Sequence, residues 1–376
     1  MYNNINIIKV DEPTKEQLTS YTNLKSSFIS VPVAIEWSEL IRQSTKTDIE
    51  IMVLEIESDG TLVGVATIMR LKKLRAYKYI SSTLTKIIET SSILQKIFPN
   101  FDIGFLEVPI SNYSGLFTSE QTTQNERNII LEKIVDFCKI NFSMDAFCIK
   151  EDSPNVEESI PKNFNKLSFI PNSSLDIRDK SFEEFIGSLT KKKRRKFRID
   201  RSMLEKEGGS IELIDNPSLI SDELYQLYLK TNLRKELKDD YIPTPLSIGK
   251  EFFDNLSHFK LLNTKALVAK VDCKIIGYCL LMQDGETLYF KSVGLDYDLS
   301  FKTNAYFNLF YSTIEYGIEQ GFKRIDYGIT SYIFKKRMGC ELHDSSYFIV
   351  FYNLLLDKFG SIAIKLLDKK FASLKF

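Results

Sequence analysis

The chain has 376 residues, 43% hydrophobic and 27% charged, with 50 basic and 50 acidic side chains. That length suits two cores rather than one, the composition is that of a folded globular chain, and zero net charge leaves no global field to recruit DNA. Five scattered cysteines without a C-x-x-C pair, and only two histidines, suggest neither a disulfide framework nor a metal centre.

In chain order, Ile51–Ile56 and Leu62–Leu71 are rich in β-branched and aliphatic residues, and Ser58-Asp59-Gly60 between them supplies a turn, so a hairpin is predicted. Phe101–Ile110 and Asp145–Lys150 read as further strands. Asn125–Ile140 between them is helical, with Ile129, Ile130, Ile134, Phe137 and Cys138 near helical spacing. The acidic, proline-containing segment 151–166 reads as a surface excursion near a domain boundary. Next comes one long helical element. Ser181 with Glu184 forms a capping box, Phe182, Phe185, Ile186 and Leu189 give the buried stripe, and Gly208-Gly209 provides the stop. A strand at Ser210–Asp215 and helices on either side of a Pro243/Pro245 loop follow.

Lys265–Asp272, Lys274–Gln283 and Thr287–Leu295 then form a meander with short links. A helix from about Asn304 to Gln320, closed by Gly321, leads to a strand at Arg324–Thr330. A short helix around Ser331–Gly339 and a strand at Ser345–Tyr352 complete the set. Meander, helix, strand, helix, strand is the core order of an α/β acyltransferase. Met52–Leu71 echoes Ala266–Gln283: strand, tight turn, then an aliphatic residue before glycine, Val63-Gly64 and Ile276-Gly277. The echo predicts a duplication joined near Ile170–Ser181, with a degenerate copy in residues 1–170 and a fuller one in 171–376.

The C-terminal stretch carries Leu354–Leu356, Phe359, Ile362, Leu366, Leu367 and Phe371 among lysines. It reads either as a helix packed on its own domain or as a basic amphipathic helix on an anionic membrane. No apolar run is long enough to cross a membrane, and the N-terminus lacks a signal-like segment. The expected location is therefore the cytoplasm, with peripheral contact at the inner membrane face as an extension.

Two stretches resemble the FemAB-like GNAT acyltransferases. One is the basic helix within Ser188–Gly209. The other is Tyr311–Leu342, with Glu319-Gln320-Gly321, Tyr327-Gly328, Lys335 and Gly339 in the family's order. The resemblance implies an α/β fold of tandem GNAT-like domains, each a mixed central sheet flanked by helices, with the C-terminal copy more complete. It also implies an N-acyltransferase. The donor would be a co-substrate, acyl-CoA or an acyl-carrier-protein thioester, rather than a tightly bound cofactor. The acceptor would be a small-molecule or lipid-like amine. A Fem-type transferase drawing on aminoacyl-tRNA is the first alternative and a non-catalytic binding module the second. Against the Fem type, Asp222–His258 is too short and too broken by prolines for a long helical arm.

Amine acylation needs a hydrogen bond for the developing oxyanion, a base for the ammonium and a proton for the leaving thiolate. In GNAT folds the first comes from backbone N–H on the fourth strand, here Tyr289–Leu295, which nominates Ser292, Val293 and Gly294. The loop that cradles a cofactor pyrophosphate would be Leu299–Asn304. It has no glycine, leaving Lys302, Thr303 and Asn304 to bind phosphate. Asp326 and His343 are candidate bases, since histidine is the side chain whose ordinary pKa lies nearest neutrality. Tyr332 is a candidate proton donor, and Tyr327 a substrate positioner. Lys335 matches the family lysine and would hold a phosphate or carboxylate. Arg195, in the basic run Lys191–Lys196, would meet an anionic donor or acceptor.

Overall fold

The computed structural model describes residues 4–24, 29–75, 82–92, 100–151, 160, 164–236, 246–329 and 331–373. The Pro243/Pro245 loop and most of the predicted 151–166 excursion lie outside the described residues.

Two compact units emerge. In the first, strands β1 (Ile5–Val10), β2 (Ile49–Ser58), β3 (Thr61–Leu74) and β4 (Phe101–Val108) pair antiparallel in that order. Helices α1 (Lys15–Ser20) and α2 (Val31–Ser44) separate β1 from β2, and α3 (Ser82–Glu89) separates β3 from β4. Short strands β5 (Tyr113–Ser114) and β6 (Leu116–Thr118) follow, on β4 and β3 respectively. Helix α4 (Gln124–Phe142) starts at a capping box of Thr123 and Glu126. It buries Ile130, Ile134 and Cys138 of the predicted stripe, adds Leu131 and Val135, leaves Ile129 and Phe137 part-exposed, and carries the chain to β7 (Ala146–Glu151), parallel to β4.

Strand β8 (Asn165–Asp176) leaves the first unit after Pro171. In the second unit the long helix expected after Ser181 is two helices, α5 (Phe182–Ser188) and α6 (Lys191–Lys206). Leu189 is extended, Thr190 caps α6 by accepting the Lys193 N–H, and Arg194 donates back to the Gly187 and Leu189 carbonyls, closing α5. Strand β9 (Ser210–Ile214) and helices α7 (Ser221–Glu236) and α8 (Glu251–Asn255) precede the meander β10 (Lys265–Val271), β11 (Lys274–Asp284) and β12 (Thr287–Leu295). Where a loop was expected there is a further helix, α9 (Tyr297–Thr303), ended by Asn304 at φ +50°. Helix α10 (Ala305–Glu319) then buries Leu309, Phe310 and Ile314 against the sheet, about 1.5–3 kcal/mol each. Next come β13 (Arg324–Asp326), parallel to β12, and α11 (Tyr332–Met338). The chain ends with β14 (Glu341–Phe351) and α12 (Leu354–Ser373).

The expected second domain, 171–376, needs a correction at its end. His343–Lys375 belongs to the first unit, because β14 pairs antiparallel with β7 from Ser346↔Glu151 to Phe351↔Ala146. Conversely, β8 pairs with β13 through Ser174–Asp176. Each unit thus has the same plan: four antiparallel strands, a fifth parallel to the fourth, and a sixth antiparallel to the fifth, which is the late strand β14 in the first unit and the preceding strand β8 in the second. The echoed hairpins agree in detail. Both turn on two residues at positive φ, Asp59-Gly60 and Asp272-Cys273. Both shift register at the same place, from Ile56↔Gly64 to Glu57↔Leu62 and from Ala269↔Gly277 to Lys270↔Ile275.

Candidate active site

In the second unit β12 and β13 run together over only three residues, Thr287, Leu288 and Tyr289 opposite Arg324, Ile325 and Asp326. Then β13 stops, while β12 continues to Leu295 with β11 on its other edge. Side chains build that stop. Asp326, 4% exposed, accepts the Gly328 N–H at 2.8 Å and Asn172 Nδ2 at 2.6 Å. Gly328, at φ +62°, turns the backbone out of the strand, and its carbonyl accepts the Ser173 N–H at 3.1 Å. Lys335 reaches back from α11 and donates to the carbonyl oxygens of Tyr327, Gly328 and Ile329 at 2.6, 3.0 and 3.0 Å.

Past this point one edge of β12 has no strand partner among the described residues. The Leu295 N–H points to that edge and donates to Thr231 Oγ1 of α7 at 2.8 Å, whereas the next amide, Asp296, points to β11 and donates to the Ile276 carbonyl at 2.8 Å. Register is regular over Val293–Leu295, so strand alternation turns the Val293 N–H to the open edge as well. Gly294 has a packing reason. A Cβ there would lie 2.2 Å from Tyr278 Cε1 and 2.9 Å from the Leu227 backbone, so glycine lets α7 close on the strand.

Just before Val293 lies a β-bulge. Cys279 pairs with Val293 but Leu281 with Phe290, so β12 carries one extra residue at Lys291–Ser292. Phe290 packs in the core under α10, while Ser292 Oγ lies 3.0 Å from the Tyr278 hydroxyl on the opposite face. Lys291 joins that face, its Nζ 5.1 Å from the Tyr289 ring centroid. Tyr289 is paired in register with Asp326, so Lys291, Tyr289 and Asp326 share one side of the sheet. Burial lowers the Lys291 ammonium to about 8, with the Asp326 carboxylate pulling upward. Lys335, 1% exposed, is also lowered to about 8 by burial, although three carbonyl acceptors favour its charged form.

The other expected residues fall as follows. Tyr327 stacks on Phe310 at 3.9 Å between centroids, inside the core. Tyr332 is buried, with its ring 5.8 Å from the Lys335 ammonium. His343 falls in the first unit, to which β14 belongs, whereas Asp326 and Tyr332 fall in the second. Thr303 and Asn304 have internal work. The Thr303 hydroxyl donates to the Leu299 carbonyl at 2.9 Å, and Asn304 Nδ2 donates to Asp200 Oδ1 at 2.7 Å, leaving Lys302 exposed. Arg195 is exposed on α6 beside Lys191, Lys192 and Arg198.

Two residues escaped the sequence reading. Asp200, fully buried within the basic helix, accepts from Lys196 at 2.6 Å, Asn304 and the Tyr311 hydroxyl at 3.0 Å, tying α6 to the α9–α10 junction. Lys291 is the other. Its only signal is a cation amid LYFKSVGL, and the bulge that aims it is invisible in a one-dimensional pattern.

A family model, FemAB-like, described as peptidoglycan biosynthesis/recognition, matches residues 97–348. The chain belongs to the FemAB-like family. Three solved structures share the fold of this FemAB-like chain. The crystal structure of FemX is 13% identical with TM-score 0.59, covering 94% of this chain and 100% of that one. L-PGS from Bacillus licheniformis is 12% identical with TM-score 0.53, covering 95% and 97%. A tandem GNAT protein from the clavulanic acid biosynthesis pathway is 8% identical with TM-score 0.51, covering 93% and 99%. No curated protein matches by sequence. Family and fold together make this chain a transferase of the acyl or aminoacyl kind with a tandem GNAT architecture.

Proposed function

We propose that the second unit transfers an acyl group from a thioester donor to an amine at the opening between β12 and β13. The observation that carries this reading is the early end of β13 beside a β12 amide, Val293, turned to the gap. A donor carbonyl laid along the open edge receives that N–H as its oxygen gains charge, and the amine attacks from the side that bears Asp326 and Lys291. Ser292 and Gly294 flank the carbonyl. Lys335, Tyr327 and Asp326 act through the turn they brace, and Tyr332 lies against that lysine.

The loop before α10 bears on the donor. Without glycine, and with Thr303 and Asn304 engaged internally, it offers only Lys302 to a pyrophosphate. This supports a thioester presented on an acyl carrier protein over free CoA. Aminoacyl-tRNA is the second reading. It is favoured by Lys191, Lys192, Arg195 and Arg198, exposed on α6, and by the likeness to FemX. The acceptor we favour is a lipid-like amine. On α12 one outward face carries Lys358, Ile362, Lys365, Leu366 and Lys369, all exposed, while Ile364 and Phe371 are buried. Lysines around exposed aliphatics suit the surface of an anionic bilayer at the cytoplasmic face.

Purified protein incubated with acetyl-CoA, an acyl-carrier-protein thioester or alanyl-tRNA, each with a primary-amine lipid or a soluble diamine, tests donor and acceptor together by mass spectrometry. Amide formed from none of the three donors would leave a non-catalytic binding module. Sedimentation with anionic liposomes should fall as salt rises and fall again when Lys358, Lys365 and Lys369 are neutralised. No binding at low salt would point to a soluble amine.

A further inference from the structure

We infer that Lys291 is the general base of the transfer, the group that takes a proton from the acceptor's ammonium; this rests on reading the β12–β13 opening as the site of acyl transfer. Geometry carries it. The bulge puts Lys291 and Ser292 on one face, immediately before Val293 and beyond the point where β13 ends, so the amine nitrogen of Lys291 stands on the strand that borders the gap. It is half-buried, which admits a substrate while excluding most of the surrounding water.

The remaining candidates have other tasks. Both carboxylate oxygens of Asp326 accept hydrogen bonds that hold the turn. Lys335 donates to three carbonyls, and the Tyr327 ring is stacked in the core. Among groups on neighbouring elements, Asp326 on β13 faces Lys291, Tyr278 on β11 is engaged with Ser292, and Lys230 on α7 pairs with Asp296 at 2.9 Å. On its own strand the neighbour is the neutral Tyr289. Burial brings Lys291 to about 8, so about a quarter of it is neutral near pH 7.5 and able to accept a proton.

The step balances as follows. Neutral Lys291 takes one proton from the substrate ammonium, and the freed amine forms a C–N bond to the donor carbonyl. The tetrahedral intermediate loses its second N–H proton to water. The C–S bond breaks, and the Lys291 ammonium returns its proton to the departing thiolate. An oxygen ester donor leaves as an alcohol by the same route.

Two measurements test this. The first needs no turnover. Competitive acetylation with limiting acetic anhydride across pH 6–11, mapped by peptide mass spectrometry, should show Lys291 half-titrated near pH 8, well below the ordinary lysine value of 10.5. A titration at that ordinary value overturns the inference whether or not the enzyme turns over. The second uses the donor that supports transfer. Lys291→Met and Lys291→Arg, the latter permanently charged, should each lower kcat by about a hundredfold or more and abolish the rate's rise through pH 8, while KM for the donor changes less than about threefold. Folded variants that keep the wild-type rate and pH profile overturn the base. Absence of transfer by the wild type with every donor overturns the acyl-transfer reading and the base role with it.

Discussion

The two units lay down the same strands, yet among the described residues only the second keeps a gap between its fourth strand and the parallel neighbour. In the first, β4 pairs with β7 over Ile103–Leu106, and where the strands would part the chain folds back into the space. Glu107 and Val108 pair with Ser114 and Tyr113 of β5, and the Gly115 carbonyl accepts the Thr67 N–H at 2.8 Å. A Cβ on Gly115 would sit 2.3 Å from the Thr67 carbonyl, so only glycine fits this plug. The charges near the two openings are also exchanged. The first unit has an acid on β4, Glu107, and a lysine on β7, Lys150; the second has Lys291 on β12 and Asp326 on β13. The first pair is sealed. Lys150 is fully buried with rings of Phe169 and Tyr347 each 4.3 Å away, and Glu107 accepts the Tyr347 hydroxyl at 2.6 Å. Burial raises the Glu107 carboxyl above its ordinary value, with the Tyr347 bond and Lys150 opposing. The proposed chemistry therefore belongs to the copy in which β13 ends early and no described residue pairs with the open edge of β12.

The sharpest way to break that comparison is Val293→Pro. Its N–H faces the open edge and makes no ladder bond to β11, so the strand should survive while transfer falls about a hundredfold to a thousandfold. Full activity with a folded variant would remove the gap from the chemistry. Next in size is Lys335→Met, which strands three buried carbonyls and should cost about 3 kcal/mol in chemical denaturation. Unchanged stability would mean that Lys335 does not brace the turn.

A pair of glycine substitutions sharpens the contrast. Gly115→Ala and Gly294→Ala both meet atoms closer than 2.5 Å and should each cost about 1–3 kcal/mol. Only the second, which pushes α7 from β12, should also change KM. Equal kinetic effects would put function in both units. The smallest effect is a pH dependence. Lys291 and Lys335 titrate near 8 in the folded chain against an ordinary 10.5, so between those values the unfolded state binds more protons. Stability from these two groups should therefore rise as pH goes from about 8 to 10.5, and less so in Lys291→Met. Parallel melting curves for the two proteins over that window would return Lys291 to an ordinary titration.

Much of the fold was legible in one dimension because it rests on local rules. Alternating aliphatics gave the meander, a capping residue at Ser181 started a helix, and the echo of Val63-Gly64 in Ile276-Gly277 marked two copies. The resemblance brought the family and its lysine. What local rules could not reach were events between distant residues. Strand β14 follows the second unit in sequence but pairs with β7, since any exposed strand edge of matching pattern can accept it. Asn304 reads as a phosphate ligand until a buried Asp200, about a hundred residues earlier, claims its amide. Lys335 reads as the holder of a phosphate or carboxylate, yet a helix turn carries it back over three carbonyls. Lys291 acquires its setting from one extra residue in a ladder and from a neighbouring strand that stops at Asp326. The sequence determined which strands and helices form and that there are two sets of them. Only the tertiary structure decided which set stays open, because the length of a parallel pairing and the filling of the space beyond it depend on contacts between residues far apart in the chain.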